Sequence, residues 1–267
     1  MHNLNEKEFL KIKDKSKHFN YSSFGYIEYA DVRTYELIKN NDNLILLLGK
    51  NKEAEIYEYI WAANEVSTLI KSLSLKSTFY LSFIPKDWHA AMEQNGFHIR
   101  NAWHDYFINQ LDLTETEPYT SYDFLKFSEI DIASALTREC RNQSRGFTGQ
   151  TSQWMLEWLN QKDNVKRTAI ITHRLPGNEI AGVVLVGIYG HGKPNGPILW
   201  VKEIAVSPKY QNQGIGRQLL KQELSYGSAY NAKRAFLAAD EQNENAIHLY
   251  KSVGFVSSEE QSEVTYI

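Results

Sequence analysis

One cysteine, Cys140, occurs in 267 residues. That excludes an intrachain disulfide framework and a metal site built on several thiolates, and it fits a reducing compartment. No metal is expected. A surplus of positive charge is also missing, since 29 Lys and Arg stand against 32 Asp and Glu, a net of −3 with neutral histidine. Without that surplus a phosphate backbone has no general electrostatic hold, so nucleic acid is not an expected partner. The longest apolar runs, Leu44 to Leu48 and Ile180 to Ile188, fall far short of the roughly 20 residues of a membrane-spanning helix. No membrane partner is expected. The first residues, MHNLNEKEFLKIKDKSKHF, are polar and carry no secretory-signal pattern, which points to a cytoplasmic protein. What remains, 42% apolar and 23% charged residues, is the balance of an ordinary globular chain.

The segment LDLTETEPYTSY, Leu111 to Tyr122, is polar, contains Pro118 and follows neither the strand nor the helix period. It predicts a boundary between an N-terminal domain, 1–115, and a C-terminal domain, 120–267. Both are of viable size. The first reads as mixed α and β: a strand over 43–49, a helical stripe of Val66, Leu69, Ile70 and Leu73, a strand over 77–84, a helix over 87–94 closed by Asn95-Gly96, and an aromatic strand at 103–107. In the second, helical patterns over 130–158 break near Ser144 to Gly149. Strands follow at 167–173 and 180–189, joined by Pro176-Gly177-Asn178. After a Gly/Pro-rich loop come a strand at 198–206, a helix at 214–229, a strand at 234–239, a helix at 244–252 and a last strand region from Phe255.

The chemistry concentrates in Gln211-Asn212-Gln213-Gly214-Ile215-Gly216-Arg217, between a strand and an amphipathic helix. Two glycines one residue apart leave backbone amides unobstructed, and a helix entrance adds its positive dipole end. Such a loop suits a pyrophosphate or a similar anion. A dinucleotide fingerprint would need glycine or alanine where Leu219 stands, and an ATPase-type phosphate loop would need Gly-Lys-Ser/Thr. Both fail. Downstream, Asn243, Ala246, Leu249, Tyr250, Gly254 and Phe255 form a second pattern.

Together these segments resemble the GNAT superfamily of acyl-CoA-dependent N-acetyltransferases. Gln211, Gly214 and Gly216 match its glutamine/arginine-x-x-glycine-x-glycine/alanine loop. The residues from Asn243 to Phe255 match its asparagine-x-x-alanine-x-x-leucine-tyrosine-x-x-x-glycine-phenylalanine signature. The clear resemblance covers about Ile198 to Phe255. It implies an α/β fold with a mixed sheet, in which strands 198–206 and 234–239 splay apart around the pantetheine arm of acetyl-CoA, the cosubstrate. Backbone groups of Ile204, Ala205 and Val206 would bond that arm. Gln211, Asn212, Gln213, Gly214, Ile215, Gly216 and Arg217 would hold the pyrophosphate, with Asn243 and Tyr250 alongside.

The implied reaction is direct attack of a primary amine, from a small molecule or a peptide, on the acetyl thioester in a ternary complex. The amine must be neutral and the departing thiolate is better protonated, so a base and an acid are needed. Tyr250 stands at the family's usual acid position. Glu203 is the first candidate base, with Asp240 and Glu241 in reserve. Strand alternation would place Val201, Glu203 and Ala205 on one face and Trp200, Lys202, Ile204 and Val206 on the other. His248, two positions from Tyr250, reads as solvent-facing, and Cys140 as a small helix residue. The wall facing the thioester is expected from Arg141 to Trp154, including Phe147. Met92 to Phe97 looks like a worn copy of Tyr250 to Phe255, so the N-terminal domain is either a degenerate GNAT-like copy or an unrelated α+β domain. An acyl-CoA sensor without chemistry stays open as the alternative function, and a homodimer stays open as the assembly.

Overall fold

The computed structural model describes residues 4–51, 56–73, 78–111, 121–160, 166–259 and 263–267. The chain divides into two compact units, Met1–Ala102 with Gln261–Ile267, and Trp103–Glu260. The polar residues 112–120, where the sequence suggested the division, lie outside the described residues. The units part at Trp103, inside a strand, because the aromatic residues from Trp103 onward ladder with the second unit.

In the first unit come α1 (Glu6–Ser16), β1 (Tyr21–Ser22), α2 (Tyr29–Val32), β2 (Glu36–Asn40), β3 (Leu44–Lys50), β4 (Tyr57–Ala63), α3 (Val66–Ile70), β5 (Phe79–Leu81), α4 (His89–Gln94) and the start of β6 (Ile99–Ile108). Asn5 opens α1 with a capping box, its side chain accepting from the Glu8 amide and the Glu8 carboxylate from the Asn5 amide, both at 3.0 Å. β2, β3 and β4 are antiparallel, and β5 runs parallel to β4. The expected strand over 77–84 contracts to Phe79–Leu81. Gly96 ends the α4 region at φ +88°, as its sequence position required.

The second unit contains Trp103 to Ile108 of β6, then α5 (Ile130–Glu139), α6 (Ser152–Leu159), β7 (Lys166–Arg174), β8 (Ile180–Tyr189), β9 (Ile198–Val206), α7 (Ile215–Ala229), β10 (Arg234–Asp240), α8 (Glu244–Lys251) and β11 (Val256–Ser257). β7, β8 and β9 are antiparallel, β10 is parallel to β9, and β6 lies antiparallel to both β10 and β11. Two apolar layers sandwich this sheet. Leu219, Leu220 and Leu224 of α7 pack on Val184, Val186 and Val201, while Ala133 and Leu136 of α5 with Met155 and Trp158 of α6 pack on Val183, Leu185 and Ala205. β8 is thus covered on both faces, which explains its unbroken apolar run.

A final strand, β12 (Glu263–Tyr266), belongs to the first unit. It pairs with β5 at Tyr266 and Leu81, and Ile267 exchanges backbone hydrogen bonds of 3.0 and 2.9 Å with His98. Three antiparallel strands, a helix, a parallel strand, a helix and a closing strand therefore follow one another in both units.

Candidate active site

The parallel pair at the middle of the second unit holds only over its first residues. Arg234, Ala235 and Phe236 pair with Ile198, Leu199 and Trp200, and no register continues from Leu237 or Val201 onward. Both strands run on, to Asp240 and Val206, so the sheet opens between them. The opening forms a cavity of about 590 Å³ lined by β9, β10, the loop before α7 and the inner face of α8. Its geometry follows from the ladder. The Ser207 amide donates to the Ala181 carbonyl on β8 (2.9 Å), so alternation turns the backbone of Ala205 toward β8 and that of Ile204 and Val206 toward the opening. The Val206 carbonyl already accepts from Gln211 Nε2 (2.9 Å) and Cys140 Sγ (3.3 Å). The amide of Val206 and both backbone groups of Ile204 remain to face a ligand.

At the mouth, Asn212 (φ +61°) and Gly214 (φ +81°) turn the chain into α7. A Cβ on Gly214 would meet nothing within 4 Å, so this glycine keeps open space at the helix entrance. The first cap bond is Gln218 to the Gly214 carbonyl (3.0 Å), and the amides of Gln213 to Arg217 donate to no described group. They form a cradle at a helix N-terminus, with the exposed Arg217 beside it making no ion pair among the described residues. A Cβ on Gly216 would stand 3.0 Å from Leu249 Cδ2 on α8, so the glycine leaves room for that side chain to pack closely. Gln211 points its amide inward, to Val206 and to Gln143 Oε1 (2.9 Å); its side chain braces the loop. Asn243 likewise spends its Oδ1 on the Ala246 amide (3.2 Å), capping α8.

β9 departs from simple alternation. Glu203 stands opposite Leu185 and Val201 opposite Val186, which leaves Lys202 as an extra residue, a β-bulge. The expected grouping of Val201 with Glu203 and Ala205 therefore fails: Leu199, Val201, Ile204 and Val206 pack toward α7 and α8, whereas Trp200 and Ala205 pack toward α5 and α6. Lys202 joins the latter side, its ammonium 5.2 Å from the Trp200 ring centre and 5.9 Å from that of Trp154. Glu203 is 7% exposed and lines the opening. Gln150 Nε2 donates to its Oε2 at 2.8 Å. Gln150 is itself fixed, its amide donating to Thr137 Oγ1 (2.9 Å) and its carbonyl accepting from Ser134 Oγ (2.8 Å). Neither Gln150 nor the bulge had a sequence signal, since one lies in an irregular link and the other depends on pairing.

Tyr250 is 8% exposed, lines the same opening, and its hydroxyl donates to no described residue. Burial, then the carboxyls of Glu223 and Glu203 and the phenol of Tyr106, push its pKa above the ordinary tyrosine value. It is held protonated. Cys140 caps α5, and burial with the nearby Glu139 and Glu203 raises its thiol to about 11, so it is no nucleophile at neutral pH. The reserve carboxylates are engaged elsewhere. Asp240, fully buried, takes a bidentate pair from Arg145 (both 3.0 Å), and Glu241 accepts from the same guanidinium (3.2 Å). Arg145 lies on the link between α5 and α6, of which Gln143, Ser144 and Phe147 line the opening; His248 is exposed. Among the described residues no helix is long and apolar enough to cross a membrane, and no group of three His, Cys, Asp or Glu could hold a metal ion.

The second unit thus brings together a mixed sheet opened at its parallel pair, a helix-entrance amide cradle and a protonated phenol. Residues 132–255 match the model of the Acetyltransferase (GNAT) family. Over 54 residues the chain is 37% identical to the spermidine N(1)-acetyltransferase of Escherichia coli K12, covering 20% of this chain and 29% of that protein. Over 81 residues it is 30% identical to the spermine/spermidine N(1)-acetyltransferase of Bacillus subtilis 168, covering 29% and 53%. The chain thus spans under a third and about half of these relatives' lengths. Among solved structures, a functionally unknown conserved protein from Staphylococcus epidermidis aligns over 90% of this chain and 97% of its own, with TM-score 0.55 and 17% identity. A GCN5-related N-acetyltransferase from Sphaerobacter thermophilus aligns over 84% and 76%, with TM-score 0.54 and 12% identity. Both are likenesses of fold.

Proposed function

We propose that the second unit is an acetyl-CoA-dependent N-acetyltransferase acting on a primary amine of a small molecule or peptide. The observation that carries this reading is the convergence on one opening of the free amides at Gly214 to Arg217, the outward backbone of Ile204 and Val206, the Tyr250 phenol and the Glu203 carboxylate. The cradle fits a diphosphate, since a left-handed glycine with open space beyond it lets the anion approach the backbone. When bound, acetyl-CoA supplies the thioester carbon that the amine attacks. Glu203, held by Gln150, accepts the proton of the incoming ammonium directly or through water. Tyr250, kept protonated by its surroundings, donates to the departing sulfur.

Among its described residues the first unit has no equivalent site in this reading. Past the parallel pairing of β4 with β5, the fully buried Trp61 reaches across with Nε1 donating to the Ser82 carbonyl (2.9 Å), and Trp88 packs beside it at 5.3 Å. Asn64-Glu65, not a glycine loop, precedes α3. The test is thiol release from acetyl-CoA across a panel of amines. Turnover with any amine supports the enzyme; tight cofactor binding without turnover on any of them favours a sensor.

A further inference from the structure

The bulge in β9 presents two neighbouring residues of opposite charge, Lys202 and Glu203, to the α5–α6 side, and both line the opening. In a regular strand adjacent side chains face opposite ways, so this juxtaposition exists only because Lys202 is the extra residue. Among the described residues Lys202 makes no ion pair, and its ammonium lies over the half-buried rings of Trp200 and Trp154. Those indoles hold the cation beside the opening without neutralising it. Three charged residues line the opening: Lys202, Glu203 and Arg217. Arg217 stands at the anion cradle, which leaves one cation and one anion for the acceptor. Asp240 and Glu241, at the end of β10, are occupied by Arg145.

A polyamine needs several carboxylates along its path, because each ammonium loses water on binding. The described lining offers Glu203 alone. A cation next to an anion instead complements a zwitterion. Resting on the N-acetyltransferase reading above, we infer that the acceptor is an amine carrying a carboxylate close by, an amino acid or a similar amino-carboxylate. Its carboxylate would pair with Lys202 and its amine would face Glu203. Lys202 is then a specificity-determining residue.

The experiment measures thiol release with matched acceptors: amino acids, the same compounds lacking the carboxylate, and spermidine. For the wild-type chain the carboxylate-bearing member of each pair should have the higher kcat/KM by about tenfold or more, the scale of one charge-assisted hydrogen bond. Lys202→Glu should reverse that order and raise spermidine turnover relative to amino acids. Lys202→Gln, which keeps the stem over the indoles, should erase the preference and serves if the charge reversal fails to fold. Turnover that favours decarboxylated amines or spermidine in the wild-type chain overturns this inference and leaves the enzyme standing. Cofactor binding without thiol release from any amine removes the enzymatic reading and this inference together.

Discussion

Gly149 carries more of the site than its place in an irregular link suggests. It adopts φ +72°, and a Cβ there would lie 2.6 Å from the Arg138 amide nitrogen, 2.7 Å from the Arg138 Cα and 2.7 Å from the Thr137 carbonyl carbon. All three are backbone atoms of α5, which no side-chain rotation can move aside. Gly149→Ala therefore costs about 1–2 kcal/mol for the left-handed conformation. It must also push the segment off α5, breaking the Thr137 and Ser134 bonds to Gln150 (2.9 and 2.8 Å) at about 1 kcal/mol each. The expected loss is about 3 kcal/mol, a fall of about 6–12 °C in the melting temperature of a unit this size. Because Gln150 loses its anchor, Glu203 loses the donor that fixes its orientation, and kcat should fall about tenfold or more beyond any stability effect when assayed well below the melt. Thermal denaturation followed by circular dichroism, with thiol release at 20–25 °C, reads both. A variant that melts within about 2 °C of the parent and turns over normally would refute the argument that α5 and the Glu203 support are coupled through this glycine.

Tyr250→Phe should lower kcat about 100-fold while leaving the Kd for acetyl-CoA within about twofold, since the ring stays in place and only the proton donor goes; equal turnover would remove Tyr250 from the acid role. Arg145→Leu leaves Asp240, fully buried, without its bidentate partner, and should destabilise the second unit by about 3 kcal/mol in urea denaturation. Glu223 is fully buried, neither carboxyl oxygen has a hydrogen-bond partner among the described residues, and burial raises its pKa well above the usual 4.5. A carboxyl with a raised folded-state value supports the fold below its unfolded value, and that support is lost as pH rises. Glu223→Met should therefore be more stable than the parent at pH 7–8, by an amount that shrinks as pH falls toward about 4.5. A gap between the two proteins that does not vary with pH would contradict a titrating Glu223.

How far the letters reached depends on what each feature needs. The glycine loop and the Asn243 to Phe255 segment were legible because a helix entrance and a helix face depend on near neighbours, and the structure draws them to one opening. The strands at 180–189 and 198–206 were legible as apolar or alternating runs. The bulge at Lys202 was not, because an extra residue is defined only against β8, and it changed which side chains share a face with Glu203. The engagement of Asp240 by Arg145 joins positions 95 residues apart, so the reserve carboxylates looked available when read in sequence alone. β12 is four residues long and takes its identity from pairing with β5, far away in the chain. Gln150 followed no period at all.

Isothermal titration of acetyl-CoA into the wild-type chain and into Gly214→Glu tests the central claim most directly. One site per chain should appear for the wild type. The variant should give no binding while losing only the about 1–2 kcal/mol that a side chain costs at this left-handed position, because Gly214 borders open space and the new carboxylate would enter the anion cradle. Two sites per chain, or equal affinity in the variant, would contradict an account in which a single helix-entrance cradle grips the diphosphate.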